Sequence, residues 1–469
     1  MPPNQAAIHA AVCDPHLDIE PSDDLLKGLV KLEHFATVEF VDWDMDPFEH
    51  PSWRLKFQSL EFVWPSILSY LEGKPEHLEA AESMVRDWVE SDPASKSWSA
   101  HGVAKRTHLL AALYSICPSG WLGDSLEQHT EWLKANYAGH HNHGISQDIA
   151  LLMVGCLSEP DLADFADSRL IESSARKVDD DGLVDEQAPA YQEYVLGLYR
   201  WYADISEAGG RRPVTPDLEA MEEVLDHFRM PDGNLVPIGD TYWAERRGAA
   251  PTADGLRIYD GYVLGREGDL YFALRFGPSR ALHGHNDHTS LFYYDGAPRL
   301  VEGGHVGYES SLFRDYLRGP WSHNQVVVEG AEHRNAPTDL ERDGDRFAMT
   351  DLPYKGVSRE RVVDLSEGIM VWDRLESRAV QTFHQLWHLP PGATAEIQGS
   401  RATVTYPDGA SLTVTQLAPV RSMKIVQGSL DPILGWMAFR QERVPAPVIV
   451  STIVDRDAAF DTEMSMTRP

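Results

Sequence analysis

Cysteine is scarce in this sequence: Cys13, Cys117 and Cys156 are the only three in 469 residues. An odd number at wide spacing excludes a disulfide framework and a CxxC metal knuckle. Long apolar runs are also missing. No stretch approaches the roughly 18 uninterrupted apolar residues of a membrane-spanning helix. Positive charge is in short supply, with 41 Lys and Arg against 73 Asp and Glu and a net charge of −32. A surface of that sign does not follow a nucleic-acid backbone or an anionic membrane. It leaves room for one local cationic cleft that holds an acidic substrate. The start, MPPNQAAIHAAVCDPHLDIEPSDD, has neither the basic region nor the apolar region of a secretory leader, so a cytoplasmic location is the expectation. GxGxxG, P-loop and GxSxG motifs are absent, which removes the dinucleotide, nucleotide and serine-hydrolase chemistries they serve.

What is present is a folding chain: 42% hydrophobic and 10% aromatic residues are enough to build cores. Residues 1–50 hold eleven acidic and two basic side chains and read as a solvated acidic segment. Residues 51–245 carry apolar residues at helical spacing, as in 53–73, 76–91 and 103–117, with Gly, Pro and Asp between them. Residues 245–255 read as a linker. From 256 to 469 the segments alternate and are rich in Val, Tyr, Phe and Thr, with Asp-Gly turns. Helices followed by strands predict an α+β chain of segregated domains, a helical toroid or bundle and then an antiparallel β-sandwich.

Four clusters could carry chemistry. HHNHGISQ (140–147) opens a helix, with Asn142 placed to cap it and His143 and Gln147 sharing one face. DGLVDEQAPAYQEY (181–194) leads from a polar loop into a helix bearing Tyr191 and Tyr194, a spacing that packing also uses. In HGHNDHTS (283–290), His283 and His285 point to one face of an extended chain and His288 elsewhere. Three histidines within six residues suit a metal or a catalytic role as well as a solvated loop. Residues 301–330 add Glu302, His305, Tyr308, Arg314, Tyr316, Arg318 and His323. His285, Glu302 and His323 make a His–carboxylate–His set whose donors suit Zn²⁺. Arg106, Arg200, Arg246, Arg314 and Arg318 lie near these motifs, and guanidinium suits carboxylate or sulfate, although ordinary ion pairing competes at each. Trp98, Trp201, Trp243 and Trp321 could stack on sugars or pack in cores.

The order of NHG, a DG…E…Y helix, a PDG…IGD loop and HGHxDxxS resembles the heparinase II/III-like polysaccharide lyases, a group that includes alginate oligosaccharide lyases. YLRGPWSHNQVVVEG is similar to that family's "R…HNT-V-V-G" strand entry. The motifs cover about residues 95–330. The resemblance implies an incomplete α/α-toroid followed by an antiparallel β-sandwich, in line with the pattern above. It implies β-elimination at a 4-O-linked uronic acid, leaving an unsaturated 4,5 product. The C5 proton is weakly acidic while the neighbouring carboxylate stays charged, so hydrogen bonds or positive charge must stabilise the enolate-like dianion. By resemblance Asn142 and His143 take that task. Tyr191 is base, acid or both, and His283 stands beside it. Tyr308 is the sandwich-borne tyrosine, with Tyr316 as its competitor. His285, Glu302 and His323 match the metal triad, a structural divalent ion such as Zn²⁺. Arg106, Gln147, Arg314 and Arg318 are the substrate-binding candidates.

The sequence departs from the family at three places. Glu302 stands for the usual Asp, Gln192 follows the tyrosine where His is common, and His141 replaces an Asn of alginate-type members. The implied partner is an acidic oligosaccharide or polysaccharide, without nucleic acid or membrane and with the oligomeric state open. Two other readings compete. A toroid glycoside hydrolase would need paired carboxylates, for which Glu186, Glu193 and Asp240 are available. A non-catalytic glycan-binding protein would keep only the cleft.

Overall fold

A computed structural model describes residues 19–91, 98–243, 249–252, 254–280, 283–308, 310–440 and 442–468. The chain divides into two compact units, Met1–Asp180 with Tyr194–Leu218, and Asp181–Glu193 with Glu219–Pro469. Arg246, one of the basic candidates, lies outside the described residues.

The first unit is helical: α1 (Pro51–Gln58), α2 (Trp64–Leu71), α3 (Glu76–Ser91), α4 (Ala100–Ile116), α5 (Gly120–Ala135), α6 (Asn142–Ser158), α7 (Pro160–Lys177) and most of α8 (Pro189–Ala208). The expected 53–73 helix is two helices. Leu60 turns left-handed at φ 62° between them, and Pro65 sits in the first turn of α2, where its missing N–H goes unmissed. The α3 boundaries are those of the amphipathic pattern. Helices α4 and α6 are buried around nearly their whole circumference, the mark of interior helices. The described part of the acidic segment is mostly solvent-facing, with a few apolar anchors. It forms a short antiparallel pair, Leu29–Val30 with Val38–Glu39, and buries Leu25, Val30, Leu32 and Trp43.

The second unit opens with the first turn of α8 and α9 (Leu218–His227) and then turns to strands. β1 (Gly255–Tyr259), β2 (Tyr262–Glu267), β3 (Leu270–Arg275), β4 (Leu291–Asp295) and β5 (Pro298–Leu300) form an antiparallel sheet in chain order. The β1–β2 turn is the expected Asp260-Gly261, with Gly261 at φ 90°. A ten-stranded sheet follows, made of β6 (Val326–Val328), β7 (Thr338–Asp343), β8 (Arg346–Tyr354), β9 (Val357–Asp364), β10 (Ile369–His388), β11 (Thr394–Gln398), β12 (Arg401–Thr405), β13 (Ser411–Gln416), β14 (Ser422–Val426) and β15 (Val448–Thr467). Its path is β11-β12-β13-β15-β10-β9-β8-β7, with β14 on β15 and β6 on β10. GIMVWDRLE and AVQTFHQLWHL are one strand, β10, because the break between Glu376 and Gln381 is a register shift and not a turn.

Period-two alternation explains the layers. Val263, Phe272, Leu274, Leu291 and Tyr293 face the large sheet and pack with Phe347, Val363, Trp387 and Val414. The residues between them, Tyr262, Leu264, Tyr271, Ala273, Phe292 and Tyr294, face the other way onto Leu183, Val224, Phe228, Val236, Ile238 and Trp243. The small sheet is thus buried on both faces, within a sandwich and beneath a cover made of α9 and the loops before α8 and after α9. That cover is why the compact units do not divide at residues 245–256, where the sequence changes texture. Among the described residues no helix is long and apolar enough to cross a membrane.

Candidate active site

Three loops of the second unit meet at Asp240. The first carries Glu186, Gln187 and Ala188, the second Gly239 and Asp240, and the third His283–Ser290. Their backbones approach so closely that a Cβ on Gly239, at φ 58°, would stand 2.5 Å from the Gln187 carbonyl oxygen and 2.7 Å from that of His283. The Asp240 N–H donates to the His283 carbonyl at 2.9 Å. The third loop is braced from the sheets: Arg275 on β3 pairs with Asp287 at 3.2 Å, and Arg361 on β9 donates to the Thr289 carbonyl at 2.8 Å.

The Asp240 side chain is 1% exposed and is approached by four groups. His283 Nδ1 lies 3.1 Å from Oδ2 and Arg314 Nη2 3.3 Å from the same oxygen. His285 Nε2 lies 3.1 Å and His305 Nδ1 2.9 Å from Oδ1. Burial alone would raise the pKa of Asp240. The hydrogen bonds from His283, His285 and His305 outweigh it and hold the carboxyl far below the usual carboxylate range.

Around this anion stand the aromatic candidates. The Tyr191 ring lies parallel to His283, with centroids 3.5 Å apart and planes at 16°. Its hydroxyl touches that of Tyr308. Tyr308 is 56% exposed, 4.9 Å from the His305 ring, with the Arg314 guanidinium 4.9 Å from its own ring. Tyr316, its competitor in the sequence, is buried and donates to the Trp436 carbonyl at 3.2 Å. The reason is local. Ser311 caps a short helix, α10 (Leu312–Arg318), which turns Phe313, Tyr316 and Leu317 into one apolar cluster and leaves Tyr308 on the preceding loop. The structure therefore brings Tyr191, His283 and Tyr308 together and leaves Tyr316 out.

Other candidates have different work. Arg314 is not presented to a ligand. It is held by Asp240, lies 3.2 Å from His305 Nδ1 and donates to the Gly307 carbonyl. Arg318 is half-buried at the end of α10, where its carbonyl accepts from Asn286 N–H at 2.9 Å. Gln192 is a buried clamp. Its Oε1 accepts from Val184 N–H, and its Nε2 donates to the Gly182 and Met221 carbonyls. His288 points away from Asp240, as the alternation predicts; it accepts from Ser279 N–H at 3.1 Å, and burial lowers its pKa to about 2.

In the helical unit, Asn142 and His143 begin α6, but His141 is its cap, accepting the His143 N–H at 3.3 Å. Asn142 is therefore the first helical residue, its Oδ1 3.2 Å from His141 Nδ1. The His143 ring packs 4.8 Å from His101. Gln147 is fully buried and ties the preceding loop, accepting from Ala138 N–H at 2.8 Å and donating to the Asn136 carbonyl at 3.0 Å. Arg106 is buried under Trp88 at 4.1 Å and Trp98 at 5.3 Å and donates to the Gln58 carbonyl and to His129. Gln147 and Arg106 thus act as buried clamps between protein groups. Trp98 and Trp201 are likewise spent on packing, against Arg106 and against His108.

The three metal candidates are neighbours engaged with other groups. Glu302 accepts from His323 Nδ1 and from the Ser290 hydroxyl, while His285 turns its Nε2 to Asp240. Burial lowers the His323 pKa, and the charge and hydrogen bond of Glu302 more than reverse this. The donor chemistry suits zinc, but Glu302 is committed to His323 Nδ1 and the Ser290 hydroxyl and His285 Nε2 to Asp240, which leaves His323 Nε2 as the buried nitrogen without a partner. Among the described residues no group of three His, Cys, Asp or Glu is arranged to hold a metal. The residues as placed do not fit a metal site.

Asp240 and His305 are the residues that the sequence reading left without this role. In the sequence Asp240 stands only as a candidate hydrolase carboxylate and His305 only as one member of a polar cluster. The available signal was the IGD loop, whose glycine has no freedom to change. The three carboxylates available to a hydrolase are each engaged with protein groups. Asp240 is saturated, Glu186 lies 3.8 Å from His283 Nε2, and Glu193 faces Arg229 at 3.5 Å.

The architecture is that of heparin and heparan sulfate lyases. The chain superposes on heparinase III with TM-score 0.79 at 15% identity, covering 100% of this chain and 85% of that one. It superposes on heparan sulfate lyase HepC from Pedobacter heparinus with TM-score 0.70 at 16% identity, covering 95% and 82%. The heparinase III BT4657 gene product gives TM-score 0.72 at 16% identity, covering 91% and 81%. Residues 259–454 match the family model "Heparinase II/III-like, C-terminal". No curated protein matches the chain by sequence.

Proposed function

We propose that the protein is a polysaccharide lyase that cleaves a 4-O-linked, uronate-containing glycan by β-elimination. The observation that carries this is the Tyr191–His283–Tyr308 group, a phenol stacked on an imidazole and touching a second phenol, within a unit that contains the stretch matching the heparinase II/III-like family model. Elimination needs a group to take the C5 proton and a group to protonate the departing O4. Two phenols in contact can exchange one proton between those tasks, with His283 beside them. Asn142 and His143 keep, from the sequence resemblance, the separate task of neutralising the uronate carboxylate. An acidic oligosaccharide or polysaccharide is the proposed substrate. A divalent ion at His285, Glu302 and His323 would have to release the Glu302–His323 and His285–Asp240 bonds, and metal analysis of the purified protein checks for it.

The test is a panel of heparan sulfate, alginate and other uronate glycans, read by the ultraviolet absorbance of the conjugated unsaturated uronate. The expected result is turnover of at least one member and its loss in Tyr191→Phe. No absorbance gain on any member, or full activity in Tyr191→Phe, would sink the proposal.

A further inference from the structure

We propose that Asp240 is a positioning residue for the proton-transfer group, a single buried carboxylate that orients Tyr191 through His283 and Tyr308 through Arg314 and His305. This rests on the lyase reading above. Each carboxylate oxygen lies within 3.3 Å of two nitrogens: those of His283 and Arg314 at Oδ2, those of His285 and His305 at Oδ1. A carboxylate offers about four acceptor sites. Asp240 therefore has none left for a substrate hydroxyl or proton, and it touches no reacting atom.

Its effect passes through its partners. With Asp240 as acceptor, His283 carries a proton on Nδ1, which fixes the tautomer and the rotation of the ring. That ring is the platform under Tyr191, 3.5 Å between centroids. Arg314, held by the same carboxylate, also donates to the Gly307 carbonyl, one residue before Tyr308, and its guanidinium lies beside the Tyr308 ring. His305, bonded to the other oxygen, packs against Tyr308 from the loop that carries it. The two tyrosines are 117 residues apart in sequence, and their hydroxyls meet. One anion thus sets the platforms of both.

The test has a structural and a kinetic arm, on the full chain. Isotope-labelled histidine NMR, assigned with His283→Gln, should show His283 protonated at Nδ1 in the parent, with that state lost or mixed in Asp240→Asn. On heparan sulfate, or on whichever panel glycan is turned over, Asp240→Asn should lower kcat by at least about 100-fold with KM within about threefold. Arg314→Lys keeps the charge but not the fork, and should lower kcat about tenfold with KM unchanged. His283 protonated only at Nε2 in the parent overturns the proposal. So does an unchanged kcat in either variant. If Asp240→Asn does not fold, the parent spectrum and Arg314→Lys still decide. If no glycan is cleaved, the lyase reading fails while the NMR arm still judges the positioning.

Discussion

Gly239→Ala perturbs the meeting point of the three loops with one methyl group. Two costs add. The residue sits at φ 58°, and a side chain in the left-handed region costs about 1–2 kcal/mol. The new Cβ would also stand 2.5 Å and 2.7 Å from the Gln187 and His283 carbonyl oxygens. Both are backbone atoms and cannot swing aside, so the loops must separate, at about 1–3 kcal/mol for overpacking. The sum, near 3 kcal/mol, lowers the melting temperature by roughly 6–12 °C at about 2–4 °C per kcal/mol. Gly268→Ala is the control in the same unit. It has φ 57°, with nothing within 4 Å of its Cβ, so it carries the backbone cost alone. Its expected loss is about 1 kcal/mol, or roughly 2–4 °C. Differential scanning calorimetry of the parent and both variants reads the difference. Equal shifts in the two variants would refute the close approach of the loops that seats Asp240.

Further outcomes follow from the same geometry. Tyr308→Phe should cut kcat by about 100-fold or more without changing the melting temperature, because the ring is exposed. Tyr316→Phe should keep kcat and cost about 1 kcal/mol, because it strips the Trp436 carbonyl of its donor. Arg106→Met should lower stability by about 2–4 kcal/mol, as the Gln58 carbonyl and His129 lose a buried donor, and leave KM unaltered; a raised KM in a stable variant would return Arg106 to the substrate. Asp148 pairs with Arg169 at 2.7 Å, but its burial pushes its carboxyl up to about 7. The folded state then holds that proton more tightly than the unfolded chain, so the parent loses stability as pH rises from about 4 to about 7. Asp148→Asn lacks this loss, and its melting temperature relative to the parent should climb between those pH values; a constant difference would contradict the assignment.

Local pattern carried much of the architecture. The 76–91 helix and the Asp260-Gly261 hairpin are legible because each follows from neighbours in sequence. The two twenty-residue strands were harder, since a bulge at 376–381 looks like a turn when only composition is seen. The site divides the same way. HGH alternation and the tyrosine at the head of α8 were readable, and Ser311 as a cap held the signal that separates Tyr308 from Tyr316. The burial of Arg106 and Gln147 was not legible, because closeness to a motif in sequence does not give direction, and both lie on helices buried nearly all round. Asp240 was illegible as a hub because its four partners come from positions 283, 285, 305 and 314 and meet only in the folded unit.

The central claim is elimination by the Tyr191–His283–Tyr308 group, and the most direct measurement is cleavage in heavy-oxygen water followed by product mass spectrometry. Elimination breaks the C4–O bond without adding water, so the account predicts products that carry no heavy oxygen, one of them unsaturated, and none of either from Tyr191→Phe. A heavy oxygen at the new end of a saturated product would mean hydrolysis and would contradict it.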